Sequence, residues 1–281
     1  WMEGSTSGVY RMWFQHMDIN RIPFYQYNTI IVGTGAAGLN AAVTLHKLGQ
    51  KNIALITEGR YMGTSRNTGS DKQTYYKLTQ CGSEPDSVRK MAETLFDGGC
   101  VDGDIAMAEA AGSLRAFYHL VDIGVPFPFN KSGEYVGYKT DHDPLKRGIS
   151  AGPLTSKYMT ECLERQAEER GIPFFDGYQA VRLLTEEKDG EKRAAGIIAL
   201  NKQKAASPDE RYAVFSAVNI IWATGGEAGM YQASVYPVSQ TGGMGILLEA
   251  GAVAKNLTES QFGIASVKHR WNLSGTFQQC L

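Results

Sequence analysis

The sequence is poor in cysteine, has no run of basic residues and holds no long apolar stretch, and each lack narrows what the chain can do. Its four cysteines, Cys81, Cys100, Cys162 and Cys280, stand far apart and form no CxxC pair. Neither a zinc site nor an iron–sulfur cluster is expected from that spacing, and reduced thiols are. Lys and Arg number 28 against 29 Asp and Glu, with no basic cluster or stripe interleaved with aromatics, so nucleic acid is not an expected partner. Purely apolar runs last a handful of residues, far below the roughly 18 to 20 of a spanning helix, and the first residues lack the basic-then-apolar pattern of a signal peptide. No membrane span and a cytoplasmic location are therefore expected. The chain opens on Trp1 without a methionine and runs to Leu281 without a stop signal, which suggests a fragment. No internal repeat is apparent.

What is abundant is glycine, 32 of 281 residues in a chain that is 43% hydrophobic. That length carries one large domain or two smaller ones with a real core. So many glycines suit a backbone that must approach a large ligand at several places.

The glycines are most ordered between Thr29 and Glu58. Thr29–Val32 is a β-branched run suited to a buried parallel strand, and it breaks at Gly33-Thr34-Gly35-Ala36-Ala37-Gly38, a GxGxxG pattern. Gly33 permits the tight turn, Gly35 lets backbone N–H groups approach a pyrophosphate, and Gly38 lets the following helix lie close to the strand. The helix, expected from Ala36 to Leu48 and closed by Gly49, presents its positive dipole end to the phosphates. A second strand, Asn52–Thr57, ends at Glu58, twenty residues after Gly38, where a carboxylate can accept both hydroxyls of an adenosine ribose. A glycine turn that only packs helix on sheet would leave Gly35 and Glu58 without a purpose. The stretch predicts a dinucleotide site.

Elsewhere the pattern predicts an α/β chain. Residues 1–28 are rich in aromatics without a period and read as a surface arm. Gly59–Gln80 is a Gly/Ser/Thr/Asn loop suited to meeting a ligand. Ser83 to Asp86 reads as the N-cap of a helix reaching about Phe96, and Asp102 as the cap of another over Asp104–Ile123, stopped by Gly124. Phe127–Ser150 is a loop excursion in which His142 and Arg147 have two readings, surface charge or a place near a substrate or flavin edge. Leu154–Glu169 is an amphipathic helix whose Leu154, Met159, Cys162, Leu163 and Gln166 share a face, closed by Gly171. The period then changes to two: Tyr178–Thr185, a turn at Asp189-Gly190, Arg193–Asn201 and Tyr212–Phe215 form an antiparallel meander. Val218–Ala223 returns to a buried parallel strand and ends in Thr224-Gly225-Gly226, where open α/β sheets bring backbone to a ligand. Thr241-Gly242-Gly243-Met244-Gly245 opens a last helix, ended by Gly251.

This order, GxGxxG, Glu58, the Gly/Ser/Thr loop, a meander, Ala223-Thr224-Gly225-Gly226, then TGGMGILLEAGA and NLTESQFG, resembles the fumarate reductase, succinate dehydrogenase and L-aspartate oxidase flavoproteins from residue 29 to about 263. The resemblance implies a Rossmann-like FAD-binding domain, a parallel sheet with helices plus an antiparallel meander, over residues 29–262, with a capping domain beginning at 263–281. It implies FAD in an extended pose: Gly33, Gly35, Ala36, Ala37 and Gly38 at the pyrophosphate, Glu58 at the ribose, the Ala180 backbone at the adenine, and Gly63, Thr64, Ser65 and Gly69 approaching the flavin. Ala223, Thr224, Gly225 and Gly226 form a second close approach. Hydride exchange between flavin N5 and a small organic substrate is the implied chemistry, with an electron-transfer partner possible.

The chain departs from the family's pattern in four places. Residues 59–80 hold no histidine, the residue through which those family members with covalent flavin attach it, so non-covalent FAD is expected. The family's TGDG appears as Thr241-Gly242-Gly243-Met244, and its QFHPT as Gln261-Phe262-Gly263-Ile264-Ala265, which replaces a substrate-binding histidine by Gly263. The family's acid/base arginine and the returning segment that completes its flavin site fall beyond Leu281, so the catalytic residues are unknown and the 281-residue piece alone is expected to be inactive. His269 and Arg270 form a cationic pair read either as surface or as facing a carboxylate. A pyridine-nucleotide oxidoreductase using NAD(P) and a non-catalytic flavin-binding subunit or sensor stand as alternatives.

Overall fold

The computed structural model describes residues 21–67, 73–99, 101–140, 143–226, 240, 242–255 and 257. Gly69, His142, Thr241, the NLTESQFG segment beyond Leu257, Gly263, His269, Arg270, Cys100 and Cys280 lie outside the described residues. The described residues fall into two compact units, the first drawn from those within 21–62, 170–224 and 245–251 and the second from those within 63–169, 225–244 and 252–257.

The first unit is built on a six-stranded sheet in the order β5-β2-β1-β8-β7-β6. Strands β1 (Phe24–Val32), β2 (Ile53–Thr57), β5 (Phe174–Asp176) and β8 (Tyr212–Trp222) run parallel, and β6 (Tyr178–Lys188) and β7 (Glu191–Asn201) add an antiparallel ribbon to β8. Every residue of β2 is buried, as are Thr29–Val32 of β1, the pattern of parallel strands covered on both faces. Ile30, Val32, Ile56, Ile197 and Phe215 form one core cluster, with Tyr25 and Phe175 packed on Phe215 at ring separations of 4.9 and 4.8 Å. Helix α1 (Ala36–Lys47) buries Gly38, Leu39, Ala42 and Val43. The hairpin between β6 and β7 turns at Asp189 and Gly190, with φ of 55° and 77°, the left-handed pair that matches the twist of the flanking strands.

In this unit three elements differ from the sequence expectation. β1 begins at Phe24 rather than Thr29, so residues 24–28 of the expected arm are strand. The two expected strands Tyr212–Phe215 and Val218–Ala223 are one, because β8 pairs antiparallel with β7 through Ser216 while pairing parallel with β1 from Val214 to Trp222. β5 is too short, at Phe174–Asp176, to carry a period of its own.

The second unit holds α2 (Thr64–Asn67), α3 (Val88–Asp97), α4 (Gly103–Asp122), α5 (Thr155–Glu169) and a small antiparallel pair, β3 (Tyr75–Tyr76) with β4 (Gly148–Ile149). α3 and α4 enclose Leu78, Met91, Ala92, Ala106 and Ala110. Asp102 caps α4 as expected, its carboxylate accepting from the N–H groups of Asp104 and Ile105 at 3.2 Å. α3 starts later than the Ser83–Asp86 signal: Ser87 is the cap, accepting from Lys90 N–H at 3.2 Å. Within α5 the buried face is Thr155, Thr160, Cys162, Leu163, Glu164 and Ala167, while Leu154 is exposed. A last helix, α6 (Met244–Glu249), ends at Gly251 in the left-handed region. Among the described residues no helix is long and apolar enough to cross a membrane.

Candidate dinucleotide site

The site is set where β1, β2 and β8 end together. Gly33 N–H donates to Ile56 O and Ala223 N–H to Val32 O, both at 2.8 Å, so the GxGxxG turn and the Ala223-Thr224 segment leave the sheet side by side. Gly33 has φ of 110°, and a Cβ there would lie 2.3 Å from Ala223 O. A Cβ on Gly38 would lie 2.0 Å from Gly33 O and 3.4 Å from Ile31 Cγ2. The first glycine therefore serves the turn and its contact with the β8 end, and the third serves helix-on-strand packing.

Gly35 has a different job. It is the N-cap of α1 in an ordinary extended conformation, φ −75° and ψ −177°, and makes no side-chain cap. The first turn of α1 also carries no acidic residue. A helix start whose N-cap residue has no side-chain oxygen and whose first turn carries no carboxylate presents a positive dipole end to an incoming anion. Ala36 and Ala37 follow, half-buried and exposed. The residues present therefore fit a pyrophosphate.

The second residue of the motif was not singled out by spacing. Thr34 is 5% exposed, and its hydroxyl lies 3.0 Å from Thr57 Oγ1 and 3.4 Å from Arg60 O. It ties the glycine turn to the chain on both sides of Glu58. Arg60 N–H in turn donates to Asp176 Oδ1 at 2.8 Å, and the Arg60 guanidinium sits 4.1 Å above the Phe174 ring. Glu58 itself directly follows β2, with its side chain 35% exposed and its Oε1 2.9 Å from Lys202 Nζ. Nothing in the spacing of Lys202 announces this partner. Ala180 lies on β6 where the pairing with β7 skips a residue before Arg182, an irregularity that loosens the ladder there.

The remaining candidates belong to the second unit. Gly63 O accepts from Arg66 N–H at 3.1 Å and from Asn67 Nδ2 at 3.0 Å, closing the turn that holds Thr64 and Ser65, both half-buried. Arg66 pairs with Glu164, and with Glu161 at 3.5 Å, fixing α2 to α5. Gly225, with φ of 77°, and Gly226 are exposed.

Arg147 is neither surface charge nor free to meet a ligand. Its side chain is 0% exposed and donates to Asp86 Oδ1 at 2.7 Å and Oδ2 at 2.9 Å, Thr94 Oγ1 at 2.9 Å, Tyr76 OH at 3.2 Å and Asp143 Oδ1 at 3.4 Å. Burial works against the Asp86 carboxylate, but hydrogen bonds from Arg147, Thr79 and Ser87 and the Arg147 charge outweigh it and hold its pKa below the ordinary range. Burial, with the neighbouring Asp143, pushes the Tyr76 phenol up to about 12.

A family model described as an FAD binding domain matches residues 28–280. The chain belongs to that FAD-binding family. Among curated relatives it is 28% identical to an L-aspartate oxidase of Agrobacterium fabrum over 83% of this chain and 42% of that protein. It is 27% identical to a succinate dehydrogenase flavoprotein subunit of Rickettsia conorii over 85% of this chain and 40% of that protein. The chain thus spans less than half the length of either relative. The fold matches Mycobacterium smegmatis Sdh1 with a TM-score of 0.70 at 19% identity, covering 82% of this chain and 39% of that one. It matches E. coli quinol fumarate reductase with a TM-score of 0.65 at 20% identity, covering 77% and 35%. The α/β architecture and FAD as cofactor agree with the sequence reading.

Proposed function

We propose that the protein of which this chain is part is an FAD-dependent oxidoreductase exchanging hydride with a small organic substrate. The observation that carries the reading is the Gly33–Gly38 cradle followed by Glu58 at the end of β2, in a chain of the FAD-binding family. When bound, FAD supplies the N5 atom that accepts or gives the hydride, and the protein supplies position and electrostatics. Gly33, Gly35, Ala36, Ala37 and Gly38 hold the pyrophosphate, Glu58 the adenosine ribose and the Ala180 backbone the adenine. Gly63, Thr64, Ser65 and Gly69, with the backbone of Ala223 to Gly226, would serve the flavin.

The names of the relatives, an L-aspartate oxidase and a succinate dehydrogenase subunit, favour a small carboxylate as substrate and a separate electron acceptor. With no histidine between Gly59 and Gln80, FAD is held without a covalent bond. The FAD-binding domain takes in β1 from Phe24 and runs to residue 262, and 263–281 open a capping domain. The free thiols of Cys81 and Cys162 suit a reducing, cytoplasmic setting. The complete protein should purify yellow with one FAD per chain, and anaerobic mixing with dicarboxylates or amino dicarboxylates should change its flavin absorbance. A colourless protein that binds NAD(P) instead would overturn the reading.

A further inference from the structure

Glu58 meets a partner that lies 144 positions further along the chain. Lys202 Nζ donates to Glu58 Oε1 at 2.9 Å. The backbone around Lys202 is fixed from several sides. Its N–H donates to Gly177 O at 2.9 Å, and Asn201 N–H donates to Arg211 O at 2.8 Å. Asn201 Oδ1 accepts from Gln203 N–H at 3.1 Å, capping the single 3-10 turn Lys202–Lys204, and Asn201 Nδ2 donates to Tyr178 OH at 3.1 Å. The lysine is thus delivered to the end of β2 by an anchored turn between β7 and β8.

Both side chains stay accessible, Lys202 at 43% and Glu58 at 35%. An ion pair so exposed contributes little to folding, and what it does is restrict where the carboxylate points. A ribose hydroxyl is both a donor and an acceptor, whereas a carboxylate only accepts. A lysine ammonium has three donors, so one engaged with Glu58 leaves two for a hydroxyl oxygen.

We propose that Lys202 is the second half of the ribose-reading site, orienting the Glu58 carboxylate and donating to the oxygen of a hydroxyl whose proton Glu58 accepts. The assignment rests on the FAD reading above and extends it to a residue outside the glycine motif and its acidic partner. It makes the adenosine half of the cofactor, not the flavin half, the part that depends on Lys202.

The test is flavin titration of the complete apoprotein, as wild type, Lys202→Met, Lys202→Arg, Glu58→Gln and the double variant Lys202→Met/Glu58→Gln, each with FAD and with FMN, which lacks the adenosine. Thermal melting without flavin is the control for folding. Lys202→Met should weaken FAD about tenfold, the effect of one charge-assisted hydrogen bond, with an unchanged melting temperature and unchanged FMN binding. Lys202→Arg should restore most of the affinity, and the double variant should bind no worse than the weaker single one, because the two side chains act as a unit. Wild-type FAD affinity in Lys202→Met, or losses in the two single variants that simply add, would overturn the assignment. So would a parallel drop in FMN binding or melting temperature, which marks a scaffold role. Wild-type protein that takes up no FAD would instead overturn the FAD reading itself, and the Lys202 assignment with it.

Discussion

Arg147 grips Asp86 with two parallel hydrogen bonds, Nη2 to Oδ1 at 2.7 Å and Nε to Oδ2 at 2.9 Å, and neither side chain is more than 1% exposed. The pair joins the segment before α3 to the strand β4. Removing one member leaves the other charge buried without its partner, which costs about 3 to 5 kcal/mol. Arg147→Met should therefore lower the unfolding free energy by about that amount in urea titrations. A loss below about 1 kcal/mol would mean that the pair is dispensable.

The same pair sets an acid limb to stability. Because the folded-state pKa of Asp86 lies below its ordinary value of 3.8, its contribution is fully present above that value and is lost as pH falls through the lower, folded value. Melting temperature should drop as pH falls below about 4. Asp86→Asn should be less stable at neutral pH and should flatten that drop; a slope equal to that of the wild type would assign the acid limb to other carboxylates.

Gly35 and Gly38 should fail in different ways. A Cβ at Gly38 would stand 2.0 Å from the Gly33 carbonyl oxygen, so Gly38→Ala must push α1 off β1 and should cost stability as well as FAD. Gly35 has backbone angles open to any residue, so Gly35→Val should keep its helical circular dichroism and lose the yellow colour. Full FAD content in Gly35→Val would place the pyrophosphate elsewhere.

Acid precipitation of the complete protein should release all of the flavin to the supernatant, since no histidine lies between Gly59 and Gln80 to carry it. Flavin fluorescence remaining on the denatured polypeptide in a gel would contradict the non-covalent assignment.

What could be read from the sequence was what is local. The run Thr29–Val32, the glycines at 33, 35 and 38, the cap at Asp102 and the Asp189-Gly190 turn all express constraints within a few residues of one another, and each element formed where its pattern lay. The contacts that were not legible join distant residues: Lys202 to Glu58 across 144 positions and Arg147 to Asp86 across 61. A lone lysine or arginine in a polar stretch carries no period and no motif. In a loop rich in Gly, Pro and charge, Arg147 reads either as surface charge or as a residue near a substrate or flavin edge, yet the side chain is held inside by Asp86. The helix expected from Ser83 starts later, because Ser87 takes the capping role by accepting from Lys90 N–H.

The seating of β8 between β1 and β7 also orders events during synthesis. β1 pairs on one side with β2, which follows it closely, but on the other side its Phe24 must wait for Val214 and its Val32 for Trp222. At ribosomal speeds that interval is on the order of ten to forty seconds. Throughout it, the nascent chain displays an unpaired strand edge running through Ile30, Ile31 and Val32, the kind of surface that recruits strands from neighbouring chains. Three side chains buried in the finished sheet are thus among the first a chaperone would meet.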